Sequence, residues 1–109
     1  LDIPYLFNML LKNEDDKIKQ ITIATFLSSH VVSVTISDTG TGIPESDINK
    51  IFEPFFTTKK VGAGTGLGLS ISYGIIKESG ADISAKNNPE GGVTFTIGFP
   101  TNPGELREY

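Results

Sequence analysis

The sequence of 109 residues has no cysteine, no tryptophan, a single histidine and no apolar run longer than a few residues. Without cysteine there is neither a disulfide framework nor a thiolate metal site, which agrees with a reducing compartment. Crossing a bilayer takes about 20 consecutive apolar residues, so the chain itself is not expected to span a membrane. Stability must therefore come from an ordinary hydrophobic core.

Clustered basic charge is also missing. The net charge is −4, and the nine lysines and arginines are scattered, with Lys59 and Lys60 as the one adjacent pair. Nucleic-acid binders carry a basic stripe, so this distribution argues against that class. The length, with 38% hydrophobic and 20% charged residues, predicts one soluble globular domain with a single core.

Hydrophobic periodicity predicts the secondary structure. Alternation of period 2 with turn signals between the segments predicts four strands in two hairpins, at residues 20–26, 31–37, 82–86 and 93–99. Apolar runs and helical spacing predict three helices, at residues 3–17, 45–52 and 67–79. The third helix has apolar residues broad enough for burial on most sides, and Gly80 suits its C-terminal cap.

This order of elements predicts an α+β two-layer sandwich. A mixed or antiparallel sheet would carry its helices on one face, and the other face would be solvated or lie against a partner domain.

Two glycine clusters stand out, DTGTGIP at residues 38–44 and GAGTGLGLS at residues 62–70. Neither fits the GxGxxG pattern of dinucleotide folds and protein kinases in any frame. For example, Gly62 and Gly64 would require a glycine at position 67, which is leucine. No Gly-Lys-Ser/Thr of a P-loop occurs either. The common nucleotide-binding folds are therefore not expected.

The clusters nevertheless resemble a known family. DTGTGIP is similar to the G1 box of histidine kinase catalytic domains, FEPFFTTK at residues 52–59 to their F box, and GTGLGLS at residues 64–70 to their G2 box. GGVTFTIGFP at residues 91–100 resembles their final strand. The resemblance covers residues 21–100. It implies the Bergerat-type fold of the GHKL superfamily, with residues 1–100 as a domain shortened at its N-terminus and 101–109 as a tail.

Asp38 is the candidate for recognising a purine. It stands at the end of a predicted strand, where its carboxylate can accept a hydrogen bond from the exocyclic amine of adenine. Gly40 and Gly42 would let the backbone approach the flat base. The alternative is a turn aspartate that caps its own backbone.

The second cluster leads into the helix predicted from residue 67. Free N–H groups at a helix N-terminus bind phosphate, and alternating glycines permit a nest of amides. A flexible surface loop is the alternative. Residues 57–63 would form a short lid, from which Lys59 or Lys60 could reach a phosphate or remain solvated. Phe52 and Phe55 are expected to pack and anchor this lid, and Phe55 is also a ligand-contact candidate.

The resemblance also implies an N box, a helix whose asparagine holds Mg²⁺. Asn13 is the predicted ligand, through its side-chain carbonyl, and Lys17 would share that helical face. Met9 and the acidic residues 14–16 depart from the family pattern, and Asn8 is the alternative ligand. The predicted cofactor-binding residues are Lys17, Asp38, Gly40, Gly42, Ile43, Phe55, Thr58, Lys59, Lys60, Gly64, Thr65, Gly66, Leu67, Gly68 and Leu69.

His30, at the start of a predicted strand, is expected to be a hairpin surface residue and not a phosphoacceptor. The resemblance implies a cytoplasmic protein-histidine kinase domain that binds Mg²⁺-ATP. It would transfer the γ-phosphoryl group to a histidine on a separate dimerisation domain, with a response regulator downstream. Alone, the chain would bind ATP without autophosphorylation. The alternatives are another GHKL-type ATPase or serine kinase, or a catalytically silent module that binds a partner.

Overall fold

The computed structural model describes residues 5–12, 18–57 and 67–101. Its elements, in chain order, are β1 (Tyr5–Lys12), β2 (Ile18–Ser28), β3 (Val31–Asp38), α1 (Gly68–Glu78), β4 (Asp82–Asn87) and β5 (Val93–Pro100). The strands form one sheet in the order β1-β2-β3-β5-β4, and every neighbouring pair is antiparallel. The predicted fold class is confirmed, with an entirely antiparallel sheet.

Both predicted hairpins are present. β2 and β3 are joined at Ser29 and His30, and Ser29 adopts a left-handed φ of 53°. His30 is exposed in this turn, as expected. β4 and β5 are joined by a turn in which Gly91 and Gly92 have φ values of 114° and 87°. These values favour glycine, because a side chain is strained there.

The sheet has one apolar face. Along β3 and β5, Ile36 lies opposite Phe95, whereas the alternate face pairs Thr35 with Thr96. The ring of Phe52 packs on Tyr73 of α1, with centroids 5.2 Å apart, and on Phe95, with centroids 6.4 Å apart. The helix and the segment before it therefore lie on the face of Phe95. The opposite face is polar, as the alternation predicts, and its Thr35 and Thr96 are half-buried.

Helix α1 is covered less than the sequence indicates. None of its residues is fully buried, and Leu69, Ile71 and Ile75 are 39%, 57% and 60% exposed. The expectation of burial on most sides is wrong, because among the described elements α1 packs mainly on β4. Its end is as predicted. Gly80 has a φ of 79° and donates its N–H to Lys77 O at 3.0 Å.

Two other predicted helices are wrong. Within the expected helix 3–17, residues 5–12 form strand β1 along β2. The run at residues 5–12 is almost wholly apolar, so it fits either period, and pairing with β2 decides for a strand. Residues 45–54 form successive turns, with hydrogen bonds from Ile48 N–H to Pro44 O and from Lys50 N–H to Asp47 O. Too few such bonds follow one another to propagate a helix.

Among residues 19–57 and 67–101, the buried apolar side chains are Ile51, Ala81 and Val93. They lie before α1, after it and at the start of β5, so the core is centred where these segments meet the sheet. In the part of the chain that the structure describes, no helix has the length and apolar character needed to cross a membrane.

Candidate functional site

Asp38 ends β3, and its half-buried carboxylate is held by two backbone groups. Oδ1 accepts the N–H of Gly40 at 2.9 Å and the N–H of Val93 at 3.2 Å. The first bond is the turn cap that the alternative interpretation of this residue predicts. The second ties the carboxylate to β5. Neither bond uses Oδ2, so the same side chain can cap the loop and still offer an acceptor.

The turn between β4 and β5 packs closely against the start of the DTGTGIP loop. A Cβ atom on Gly92 would lie 1.9 Å from the Asp38 carbonyl oxygen and 2.7 Å from Asp38 Oδ1. A Cβ on Gly91 would lie 3.4 Å from Gly40 O. Real Cβ contacts do not approach a backbone oxygen so closely, so only glycine fits at residue 92. The close approach of the two loops places the Asp38 carboxylate.

The far end of the DTGTGIP loop is held by a side chain of β4. Asn87 Oδ1 accepts the N–H of Ile43 at 2.8 Å, and its Nδ2 donates to Ile43 O at 2.5 Å and to Glu45 Oε1 at 2.9 Å. Gly42 lies beneath this amide with a φ of 79°, and a Cβ there would meet Asn87 Oδ1 at 2.9 Å. The glycine is therefore required by both conformation and space.

The neighbouring Asn88 binds the other end of the loop. Its Nδ2 donates to Ser37 Oγ and to Asp38 O, both at 3.1 Å, and its Oδ1 accepts the hydroxyl of Thr94 at 2.6 Å. The Thr94 hydroxyl oxygen also lies 2.9 Å from Ser37 Oγ. This network joins β3, β5 and the turn between β4 and β5.

The F-box phenylalanines differ in environment. Phe52 packs between α1 and the sheet, so the expectation that it packs is confirmed. Except for Thr57, the lid that it is expected to anchor lies outside the described residues. Phe55 is 72% exposed with a φ of 68°, so the expectation that it packs is wrong. A left-handed φ at a phenylalanine is uncommon. Its contact with a ligand stays a prediction.

The start of α1 is suited to an anion. Leu67 is the N-cap and makes no side-chain capping hydrogen bond, and the first turn holds no acidic residue. Gly68 is exposed, and a Cβ there would meet nothing within 4 Å. The N–H groups of a first helical turn have no partner within the helix, so they can serve a ligand.

The sequence matches the family model described as histidine kinase-, DNA gyrase B-, and HSP90-like ATPase over residues 6–103. The chain belongs to this ATPase family. Its resemblance to histidine kinase catalytic domains is also confirmed by relatives that are named as sensor kinases and by solved kinase domains of the same fold.

Sensor kinase CckA of Brucella abortus (strain 2308) is 58% identical over 65 residues, which cover 60% of this chain and 7% of that protein. Sporulation kinase A of Bacillus subtilis (strain 168) is 40% identical over 98 residues, which cover 87% of this chain and 16% of that protein. The catalytic domain of histidine kinase ThkA, in a nucleotide-free form, aligns with a TM-score of 0.65 at 39% identity. That alignment covers 81% of this chain and 57% of the other.

The predicted site residues that the structure describes in this ATPase domain include two groups. Asp38, Gly40, Gly42 and Ile43 share a single loop, and Leu67, Gly68 and Leu69 lie at the start of α1. The remaining predicted positions lie outside the described residues: Asn13, Lys17, Thr58, Lys59, Lys60, Gly64, Thr65 and Gly66. Asn8, the alternative metal ligand, is in β1 and not in a helix. Residues 5–57 and 67–101, where described, contain no cluster of His, Cys, Asp or Glu that could hold a metal.

Sequence reasoning missed the asparagines of this ATPase domain. The sequence predicts the segment NNPEGG, at residues 87–92, only as a tight turn, yet Asn87 and Asn88 hold both ends of the DTGTGIP loop. The loop residues that they bind lie more than 40 residues away along the chain. The one signal in the sequence is the pair of adjacent asparagines.

Proposed function

We propose that the chain binds Mg²⁺-ATP as the catalytic domain of a two-component sensor histidine kinase, the γ-phosphoryl group passing to a histidine on another domain. The observation that carries the proposal is the Asp38 carboxylate, anchored through Oδ1 to the Gly40 and Val93 N–H groups. A carboxylate fixed in this way keeps Oδ2 as an acceptor within a loop of small residues. Membership of the ATPase family supports the same assignment.

The described residues fit a purine. The exocyclic amine of adenine would donate to Asp38 Oδ2, and the exposed Gly40 offers no side chain to obstruct the base. Guanine and hypoxanthine carry a carbonyl oxygen at that position, which a carboxylate repels. A hydrogen-bonding site of this kind discriminates strongly, because a mismatched base leaves its polar group unpaired. The loop should therefore select adenine.

The triphosphate would bind the amides that lead into α1. The first helical turn carries partial positive charge and holds no acid that would repel phosphate. Gly64 and Gly66 would extend the amide nest, and Lys59 or Lys60 would add charge, as the sequence predicts. Magnesium would neutralise phosphate charge when bound, and its proposed ligand remains the side-chain carbonyl of Asn13.

The domain's own contribution is binding and orientation. Phosphoryl transfer depends on positioning and charge neutralisation more than on covalent help from the protein. His30 lies exposed in a hairpin turn, and its carbonyl oxygen accepts from the N–H of Thr101. We infer that the acceptor lies on a dimerisation domain of the parent protein, in the cytoplasm, with a response regulator downstream.

Calorimetric titration of the 109-residue chain with a non-hydrolysable ATP analogue, with and without Mg²⁺, tests this proposal. We expect magnesium-dependent binding, and no phosphorylation of the chain during incubation with ATP. Folded protein that binds no nucleotide would favour the silent partner-binding module. Release of phosphate by the chain alone would favour another ATPase of the superfamily. Phosphorylation of an added protein on serine would favour the serine kinase.

A further inference from the structure

We propose that Asn87 is a positioning residue that sets the selectivity of the site for adenine. The inference rests on the proposed function, since it concerns how the purine loop is held. Asn87 belongs to β4 and its hydrogen bonds cross to Ile43, the residue after the second loop glycine. The side-chain amide accepts from the Ile43 N–H and donates to the Ile43 carbonyl. It thus pairs with both backbone groups of one residue, as a neighbouring strand would.

The purine loop is thereby fixed at two ends. Asp38 and Thr39 hold the first end, since Asp38 Oδ1 accepts from the Val93 N–H and Thr39 Oγ1 accepts from the Gln20 N–H at 2.9 Å. Asn87 holds the second end at Ile43. Only residues 40–42 lie between these anchors. Removing the second anchor leaves Asp38 in place but frees residues 40–43, the backbone against which the base would lie.

An ordinary turn role does not explain Asn87. The turn between β4 and β5 is closed by its neighbour, because Asn88 N–H donates to Gly92 O at 2.8 Å and Gly91 N–H donates to Asn88 O at 3.1 Å. The described hydrogen bonds of the Asn87 side chain are all to residues outside the turn, Ile43 and Glu45. The two asparagines therefore have different tasks. Asn88 closes the turn and binds the Asp38 end of the purine loop, and the side chain of Asn87 holds the Ile43 end.

The first test is Asn87→Ala, with the exposed Asn49→Ala as a matched control. We expect Asn87→Ala to weaken binding of a non-hydrolysable ATP analogue about tenfold, which corresponds to the loss of one or two net hydrogen bonds. We also expect the preference for ATP over inosine triphosphate to fall, because the freed loop backbone no longer holds the base at a fixed distance from the Asp38 carboxylate. Asn49→Ala should retain both the affinity and the preference.

The second test is Asn87→Asp, which keeps an acceptor for the Ile43 N–H but loses the donor at neutral pH. The ionised group would face Ile43 O and the Glu45 carboxylate, with Asp38 at the end of β3, which β5 separates from β4. Protonation restores an O–H donor to Ile43 O. We expect affinity relative to the parent chain to be reduced at neutral pH and to recover as the pH falls. A purely structural residue would not produce that recovery.

The outcomes separate the inference from the proposed function. If the parent chain, shown to be folded, binds no nucleotide, both are wrong. If the parent binds but Asn87→Ala keeps the affinity and the preference for ATP over inosine triphosphate, the inference alone is wrong. Equal losses for the two nucleotides, with no pH-dependent recovery in Asn87→Asp, would also overturn it. Should Asn87→Ala fail to fold, Asn87→Asp alone decides, by the presence or absence of recovery.

Discussion

Replacing Gly92 with alanine tests the contact that places the Asp38 carboxylate. The new methyl group would lie 1.9 Å from Asp38 O, and the two backbones would have to separate by about 1.5 Å before an ordinary contact of 3.4 Å is reached. The backbone at Gly92 also has a φ of 87°, where alanine is strained. The substitution therefore combines a steric clash with a conformational cost.

The other glycines isolate each contribution. Gly80 has a φ of 79° but open space around its Cβ position, so Gly80→Ala should cost only the conformational strain, about 1 kcal/mol. Gly74 lies within α1 with nothing within 4 Å, so Gly74→Ala should stabilise by about 0.5–1 kcal/mol. Gly92→Ala adds overpacking of about 1–3 kcal/mol to the strain, and about 1 kcal/mol for the weakened bond to Val93. The expected total is about 3–5 kcal/mol.

Equilibrium unfolding in urea, followed by far-UV circular dichroism, measures all three variants, since the chain has no tryptophan for fluorescence. A domain of this size has about 5–15 kcal/mol of stability, so Gly92→Ala should lose a large fraction of it. A free energy of unfolding for Gly92→Ala equal to that of Gly80→Ala would show that the close approach of the two loops is wrong.

Three other substitutions extend the account. Asp38→Asn keeps the Oδ1 acceptor but replaces Oδ2 with a donor. The melting temperature without nucleotide should therefore change little, while stabilisation by ATP disappears. Unchanged stabilisation by ATP would contradict the purine assignment. Thr94→Val removes the hydroxyl that joins Asn88 to β3, and urea unfolding should show a loss of about 1–3 kcal/mol; a neutral effect would count against the network. Lys77 donates to Asp82 on the surface, and this hydrogen bond, with the charge of Asp82, raises the lysine pKa above 10.5. The pair's contribution is thus complete below 10.5 and lost as pH rises through the folded pKa, so Asp82→Asn should have a constant small effect between about pH 6 and about pH 9. A change in that effect across this range would contradict the assignment.

Much of the sheet was predictable, because alternation of period 2 is a local signal that the strands keep in the fold. The hairpins around His30 and Gly91 follow from turn residues placed between such strands. Strand β1 was not predictable, because a run of apolar residues satisfies both periods and only its pairing with β2 decides between them. The turns after Pro44 likewise depend on how Ile51 and Phe52 are buried, which no local pattern expresses.

The site was predictable in its residues but not in its geometry. The glycine pattern and the strand end indicate Asp38. That Oδ1 is bound by the backbone, which leaves Oδ2 for a ligand, depends in part on the N–H of Val93, 55 residues later. The roles of Asn87 and Asn88 could not be predicted, because their hydrogen bonds to the loop are tertiary contacts. Sequence spacing reports which residues share an element, and contacts between distant segments require the fold itself.

The most direct test of the account is a crystal structure of the chain with a non-hydrolysable ATP analogue and Mg²⁺. We predict that the exocyclic amine of adenine lies within hydrogen-bonding distance of Asp38 Oδ2, with the phosphates at the amides that precede and begin α1. Nucleotide density elsewhere on the domain, or a base that does not touch Asp38, would contradict the account.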